Sequence, residues 1–133
     1  MPGLLGRLLL GMVVLLATAC QGDTSDKNQR LLQAYKNGET DIWVSGTGPV
    51  TQIFGDDQIS GVAYQRFYAD LNGEIPVLIN YQVTANRRIP VAQGDQVAFE
   101  GSYEWRAEGG VIYVRQRDDG LRGWVEHDGV RYQ

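Results

Sequence analysis

The chain has 133 residues, of which 43% are hydrophobic and 21% charged; this supports one packed domain and leaves no room for two. A single Cys and a single His exclude an internal disulfide framework and a Cys/His zinc site, and any catalytic imidazole has to be His127. The formal net charge of −4 lacks the basic excess usual in a nucleic-acid binder, so no nucleic-acid partner is expected.

Residues 1–19 predict an export signal. Arg7 gives the positive start, Leu8 to Leu16 the apolar run and Ala17-Thr18-Ala19 the small-residue stretch before Cys20. The apolar run is shorter than the roughly 20 residues that span a bilayer. With Leu16, Ala19 and Cys20 in place, the segment resembles a bacterial lipoprotein signal peptide. The resemblance implies cleavage before Cys20 and acylation of that residue. Each buried CH₂ contributes about 0.8 kcal/mol, so several acyl chains anchor a protein durably. Gln21 stands where an Asp would imply retention at the inner membrane. The resemblance therefore implies the outer membrane, with the protein on its periplasmic face. Residues 20–27 are polar and read as the lipid-anchored tether, and residues 28–133 as the folded domain.

Leu31, Leu32 and Tyr35 recur at helical spacing. Ser25 or Asp26 offers a cap and Asn37-Gly38 a stop, which predicts a helix over residues 26–36. From Asp41 the period becomes two. A long first strand is expected to bend over residues 46–49, resume to Phe54 and turn at Gly55-Asp56-Asp57. The second strand spans Tyr64 to Leu71, with Gln65, Phe67, Ala69 and Leu71 on one face and Tyr64, Arg66, Tyr68 and Asp70 on the other. Asn72-Gly73 is a hairpin signal, and Pro76 to Val83 forms a third strand. Gln96 to Arg106 and Val111 to Arg117 give the fourth and fifth. A short hairpin with His127 near its exposed tip ends the chain. The three tryptophans, Trp43, Trp105 and Trp124, are expected in the core or closing it. One short helix followed by five principal strands predicts a mainly β fold: a small antiparallel β-barrel, OB-fold-like, with a small β-sandwich as the alternative.

Gly46-Thr47-Gly48-Pro49-Val50, Gln65-Arg66-Phe67, Tyr103-Glu104-Trp105, Gly109-Gly110-Val111-Ile112 and Gly123-Trp124 occur in that order. With these blocks the chain resembles a family of small exported bacterial proteins known as a domain of unknown function. The resemblance implies histidines before the Gln-Arg-Phe block, in the third strand and after Gly-Gly-Val-Ile. Here those places hold Tyr64, Asn80-Tyr81 and the run Tyr113 to Arg117. A metal held by such histidines is not expected in this chain, and no cofactor is.

Few residues suggest chemistry. Asp56-Asp57 and Asp118-Asp119 offer hard oxygen ligands for calcium, but both pairs adjoin Gly and read as turn residues. Nucleases on OB-like barrels set Asp, Glu and Arg around calcium, so a calcium-dependent phosphodiesterase is the enzymatic alternative. A basic-aromatic set is more telling. Tyr64, Arg66 and Tyr68 alternate on the second strand, and Tyr113, Arg115 and Arg117 on the fifth. Such a surface stacks rings on a ligand while guanidinium groups meet an anion. The expectation is a non-enzymatic binding or interaction module of the envelope, tied to the membrane by its lipid. Its partner would be an envelope protein or an anionic ligand, held by Tyr64, Arg66, Tyr68, Arg115 and Arg117, with no catalytic residue and no metal.

Overall fold

A computed structural model describes residues 22–83 and 87–133 of the chain. The export signal and the lipidation residue Cys20 lie outside the described residues. The elements run α1 (Gly22–Asn37), β1 (Ile42–Ile59), β2 (Val62–Leu71), β3 (Ile75–Gln82), β4 (Gln96–Glu104), β5 (Val111–Val114), β6 (Trp124–His127) and β7 (Val130–Tyr132). The helix begins earlier than the capping signals suggested, so most of the segment read as a tether has helical backbone.

β1 pairs with β2 along its second half and with β4 along its first. β2 pairs with β3, β3 with β5 and β5 with β4, which closes a ring in the order β1-β2-β3-β5-β4. The β6–β7 hairpin takes the part of the β4 edge that β5 leaves open, pairing β6 with Val97 to Glu100. The expected antiparallel barrel is thus a barrel-like ring with one parallel contact, β3 against β5. This mixed, OB-like order follows from the long connection after β3, which lets β4 cross over before β5 returns beside β3.

Alternation builds the interior. Phe67, Ala69 and Leu71 of β2, Val77, Ile79 and Tyr81 of β3, Val97, Phe99 and Tyr103 of β4, and Ile112 and Val114 of β5 are all buried. α1 closes one end of the ring with Leu31, Leu32 and Ala34. Asn28, 1% exposed, pins the helix there. Its Nδ2 donates to Thr47 O at 2.8 Å and to Asn72 Oδ1 at 2.9 Å, and its Oδ1 accepts the Thr47 N–H at 2.9 Å. Ile89, in the connection after β3, is buried in the same core. Gln65 holds it as a second backbone would: Nε2 donates to Ile89 O at 2.7 Å and Oε1 accepts the Ile89 N–H at 3.0 Å. That pairing explains a glutamine on the core face of β2.

Three hairpin tips, Ser60-Gly61, Asn72-Gly73 and Asp128-Gly129, have positive φ at both residues, the backbone that suits the twist of paired strands. The expected turn at Gly55-Asp56-Asp57 does not form. β1 runs through it, and a register shift between Phe54 and Asp57 absorbs it as a bulge. β5 stops at Val114 instead of Arg117, because the Arg117 N–H turns to donate to Leu121 O at 2.7 Å.

The tryptophans are not core residues. Trp105 is 38% exposed, lies against the Tyr35 ring and donates its Nε1–H to Tyr35 O at 3.0 Å. Trp43 donates to Glu100 Oε2 at 2.9 Å, and Trp124 lies under Arg131, whose guanidinium carbon is 3.9 Å from the ring centroid. Each indole of the first two finds its acceptor at the surface; Phe67, Tyr81, Phe99 and Tyr103 fill the interior instead.

Candidate ligand cleft

A cleft of about 250 Å³ lies over the outer face of β2, β3 and β5. Register puts its floor together. Tyr68 stands opposite Leu78, and Leu78 opposite Val111; one row on, Arg66 stands opposite Asn80, and Asn80 opposite Tyr113. Two rims rise beside this floor. Asp57 and Ile59 come from the far half of β1, which only β2 supports. Arg106, Glu108 and Gly110 come from the β4–β5 loop.

Two glycines bring that loop into place. Gly109 and Gly110 have φ of 143° and 106°. A Cβ on Gly109 would stand 1.8 Å from Pro76 O, and one on Gly110 would stand 2.3 Å from the Tyr103 ring. Bare backbone lets Tyr103 donate its hydroxyl to Gly109 O at 2.8 Å and Gly110 O accept the Leu78 N–H at 2.9 Å. Burial, with a smaller effect of nearby Tyr35, pushes the Tyr103 hydroxyl up to about 12. Burial also raises the Tyr113 hydroxyl, helped by Glu104, so Tyr113 meets the cleft as a neutral donor.

The floor holds an unmet group. Asn80 is 5% exposed, and its Oδ1 has no hydrogen-bond partner. A buried carbonyl left so costs about 1–3 kcal/mol. It is the one such side-chain atom among the described residues. The rims carry free charge as well. Among the described residues neither Asp57 nor Glu108 has an ion partner, whereas Arg106 pairs with Glu104. Arg66 donates its Nε–H to Gly55 O at 3.1 Å and lies 5.6 Å from the Phe54 ring centroid, and among the described residues it makes no ion pair, though its charge helps to lower Asp56.

The residues singled out in the sequence part company here. Arg66 and Tyr68 line the cleft, with Tyr68 edge-on to Phe54 at 5.1 Å. Tyr64 and Arg115 stand beside it and bind each other: Arg115 Nη1 donates to the Tyr64 hydroxyl at 3.2 Å and its guanidinium covers the Tyr113 ring at 4.9 Å. Tyr64 is therefore buried. Arg117 is elsewhere, over the Trp43 ring and paired with Asp119. The aspartate pairs are divided. Asp56 makes a two-pronged pair with Arg88, which holds its carboxyl below the usual range, while Asp57 faces the cleft. Among the described residues no three of His, Cys, Asp and Glu gather to hold a metal ion.

Sequence reasoning placed Asn80 where the resemblance implies a histidine but did not count it, Glu108 or Arg106 among the binding residues. Asn80 had a signal: an amide of poor strand propensity in the middle of Val77-Leu78-Ile79-Asn80-Tyr81. The loop pair had none, since only the ring's closure brings it to β3.

His127 is not an exposed tip residue. β6 carries it, 8% exposed, with Nε2 2.8 Å from Asp95 Oδ2. Asp95 also accepts the Ala92 N–H at 2.9 Å, and these two bonds, the His127 one first, lower its carboxyl. The pair ties the connection after β3 to the last hairpin.

No curated protein and no solved structure matches the chain. The family described as "Protein of unknown function (DUF3465)" matches residues 12–133, and the chain belongs to that family.

Proposed function

We propose that this protein is a lipid-anchored, non-enzymatic binding module of the bacterial envelope, and that it holds its ligand in the cleft over β2, β3 and β5. The observation that carries this reading is the buried, unpartnered Asn80 carbonyl on the floor of that cleft. Folding tolerates such a group where a ligand later supplies the missing bond. The strands and two loops that frame it are those through which OB-type barrels hold extended ligands. Support for the anchor comes from the sequence alone: Arg7, the apolar run and Cys20, with Gln21 favouring the periplasmic face of the outer membrane. Among the described residues no helix is long and apolar enough to cross a membrane. Tyr64, Asn80-Tyr81 and the run Tyr113 to Arg117 stand where the family resemblance implies histidines, so the cleft, which Asn80 and Tyr113 line, recognises its ligand by hydrogen bonding and ring contact instead of through a metal.

Arg66→Ala/Tyr68→Ala/Asn80→Ala in the full chain tests the reading. Envelope material that co-purifies with the native chain should be lost from this triple variant and kept by Arg117→Ala, which alters a different face. Equal recovery by the native and triple variants overturns the reading. Hydrolysis of a phosphodiester by the purified chain with calcium would replace it with the enzymatic one.

A further inference from the structure

We infer that the ligand is a glycan segment carrying an N-acetylated sugar, with its acetamido group on Asn80; this rests on the cleft being the binding site. The floor is an amide set among apolar neighbours. Asn80 shares its outer strand face with Leu78, and Val111 lies opposite Leu78 on β5. An acetamido group matches this in kind: one N–H, one carbonyl and one methyl. The terminal torsion of an asparagine is broad, so the amide can turn its unmet oxygen to the incoming N–H. The methyl then covers Leu78 and Val111.

The rims suit hydroxyls. A sugar hydroxyl donates to a carboxylate and accepts from a guanidinium at once. Asp57 and Glu108 are free acceptors, and Arg66 has spent only its Nε–H on Gly55 O. Arg106 is already paired with Glu104, so Asp57 and Glu108 outnumber Arg66 among the unpaired charges of the lining, and the cleft does not favour an anion. The size agrees. About 250 Å³ is below the roughly 300 Å³ at which drug-sized sites begin, and holds a single sugar unit with the chain continuing along the open face. Barrel faces of this kind also take oligonucleotides. Here two free carboxylates on the rims and a net charge of −4 would face the phosphates, and the cleft's lining is not the basic groove that tracks a backbone.

The test is calorimetric titration of the full chain, in a detergent without a sugar head group, with chitotriose, maltotriose and an oligothymidylate. Chitotriose should bind at least about ten-fold more tightly than maltotriose, which has the hydroxyls and lacks the acetamido group. Asn80→Leu should bring chitotriose down to the maltotriose level, and Arg66→Ala should weaken both sugars. Equal affinity for the two sugars, or chitotriose affinity unchanged in Asn80→Leu, overturns the inference. Binding of the oligothymidylate alone, mapped to the cleft by loss in Arg66→Ala, overturns it too but keeps the cleft as a binding site. Binding of none of the probes overturns the sugar assignment, and the envelope co-purification then decides separately on the cleft.

Discussion

Replacing Asn80 with Leu should make the protein more stable. The side chain is 95% buried by the 5% exposure that remains, and its carbonyl has no partner. Removing that carbonyl recovers about 1–3 kcal/mol of desolvation cost. A buried leucine adds about 2 kcal/mol of apolar burial. Misfit of the branched side chain in a formed site takes back about 1–2 kcal/mol. The net gain is about 2 kcal/mol, and at about 4 °C per kcal/mol for a domain of this size the melting temperature should rise by about 8 °C. Thermal unfolding of the full chain followed by far-ultraviolet circular dichroism measures it. A melting temperature that holds or falls would refute the reasoning, because it would mean the amide has a partner in the free protein. A rise accompanied by loss of binding would mark Asn80 as a residue kept for function at a cost in stability.

Asn28→Ala removes three hydrogen bonds between α1 and the ring and should lower stability by about 2–3 kcal/mol in urea unfolding, with proteolysis shifting to the helix. At Gly48 a Cβ would stand 2.0 Å from Asp70 O, so Gly48→Ala should cost about 3 kcal/mol or more by the same assay. The Tyr103 hydroxyl, raised from 10.0 to about 12, favours the folded state below pH 10, and this contribution is lost as pH climbs towards 12. Tyr103→Phe should therefore flatten the fall in melting temperature across that window; an unchanged slope would show that Tyr103 titrates normally. Asp95, whose carboxyl is lowered by His127, contributes stability above its unfolded value of 3.8 and loses it as pH falls below. The melting temperatures of native protein and Asp95→Asn should then converge in acid.

The strands were legible because their chemistry is local. Alternation in Tyr64 to Leu71 and the Asn72-Gly73 turn foretell β2, its faces and its hairpin. Gln65 shows where that logic stops: its place on the core face makes sense only once Ile89 is seen to pair with it. Gly55-Asp56-Asp57 read as a turn because its composition is that of one, yet the ladder to β2 overrides local preference and turns the surplus into a bulge. The cleft was half legible. Arg66 and Tyr68 lie on a visible alternation, but Arg106 and Glu108 reach them through ring closure, a long-range event that no local pattern encodes. Arg117 followed the alternation on paper and left it in space, because Asp119 and Trp43 compete for it.

Past Val50, β1 leaves β4 and is paired only with β2 out to the Ser60-Gly61 tip. Lengthening or trimming that ribbon by residue pairs would change how much of the cleft it walls while the strand pairing of the closed ring stayed as it is. The shape of this rim can therefore drift independently of foldability, because the ring that carries the core does not depend on it.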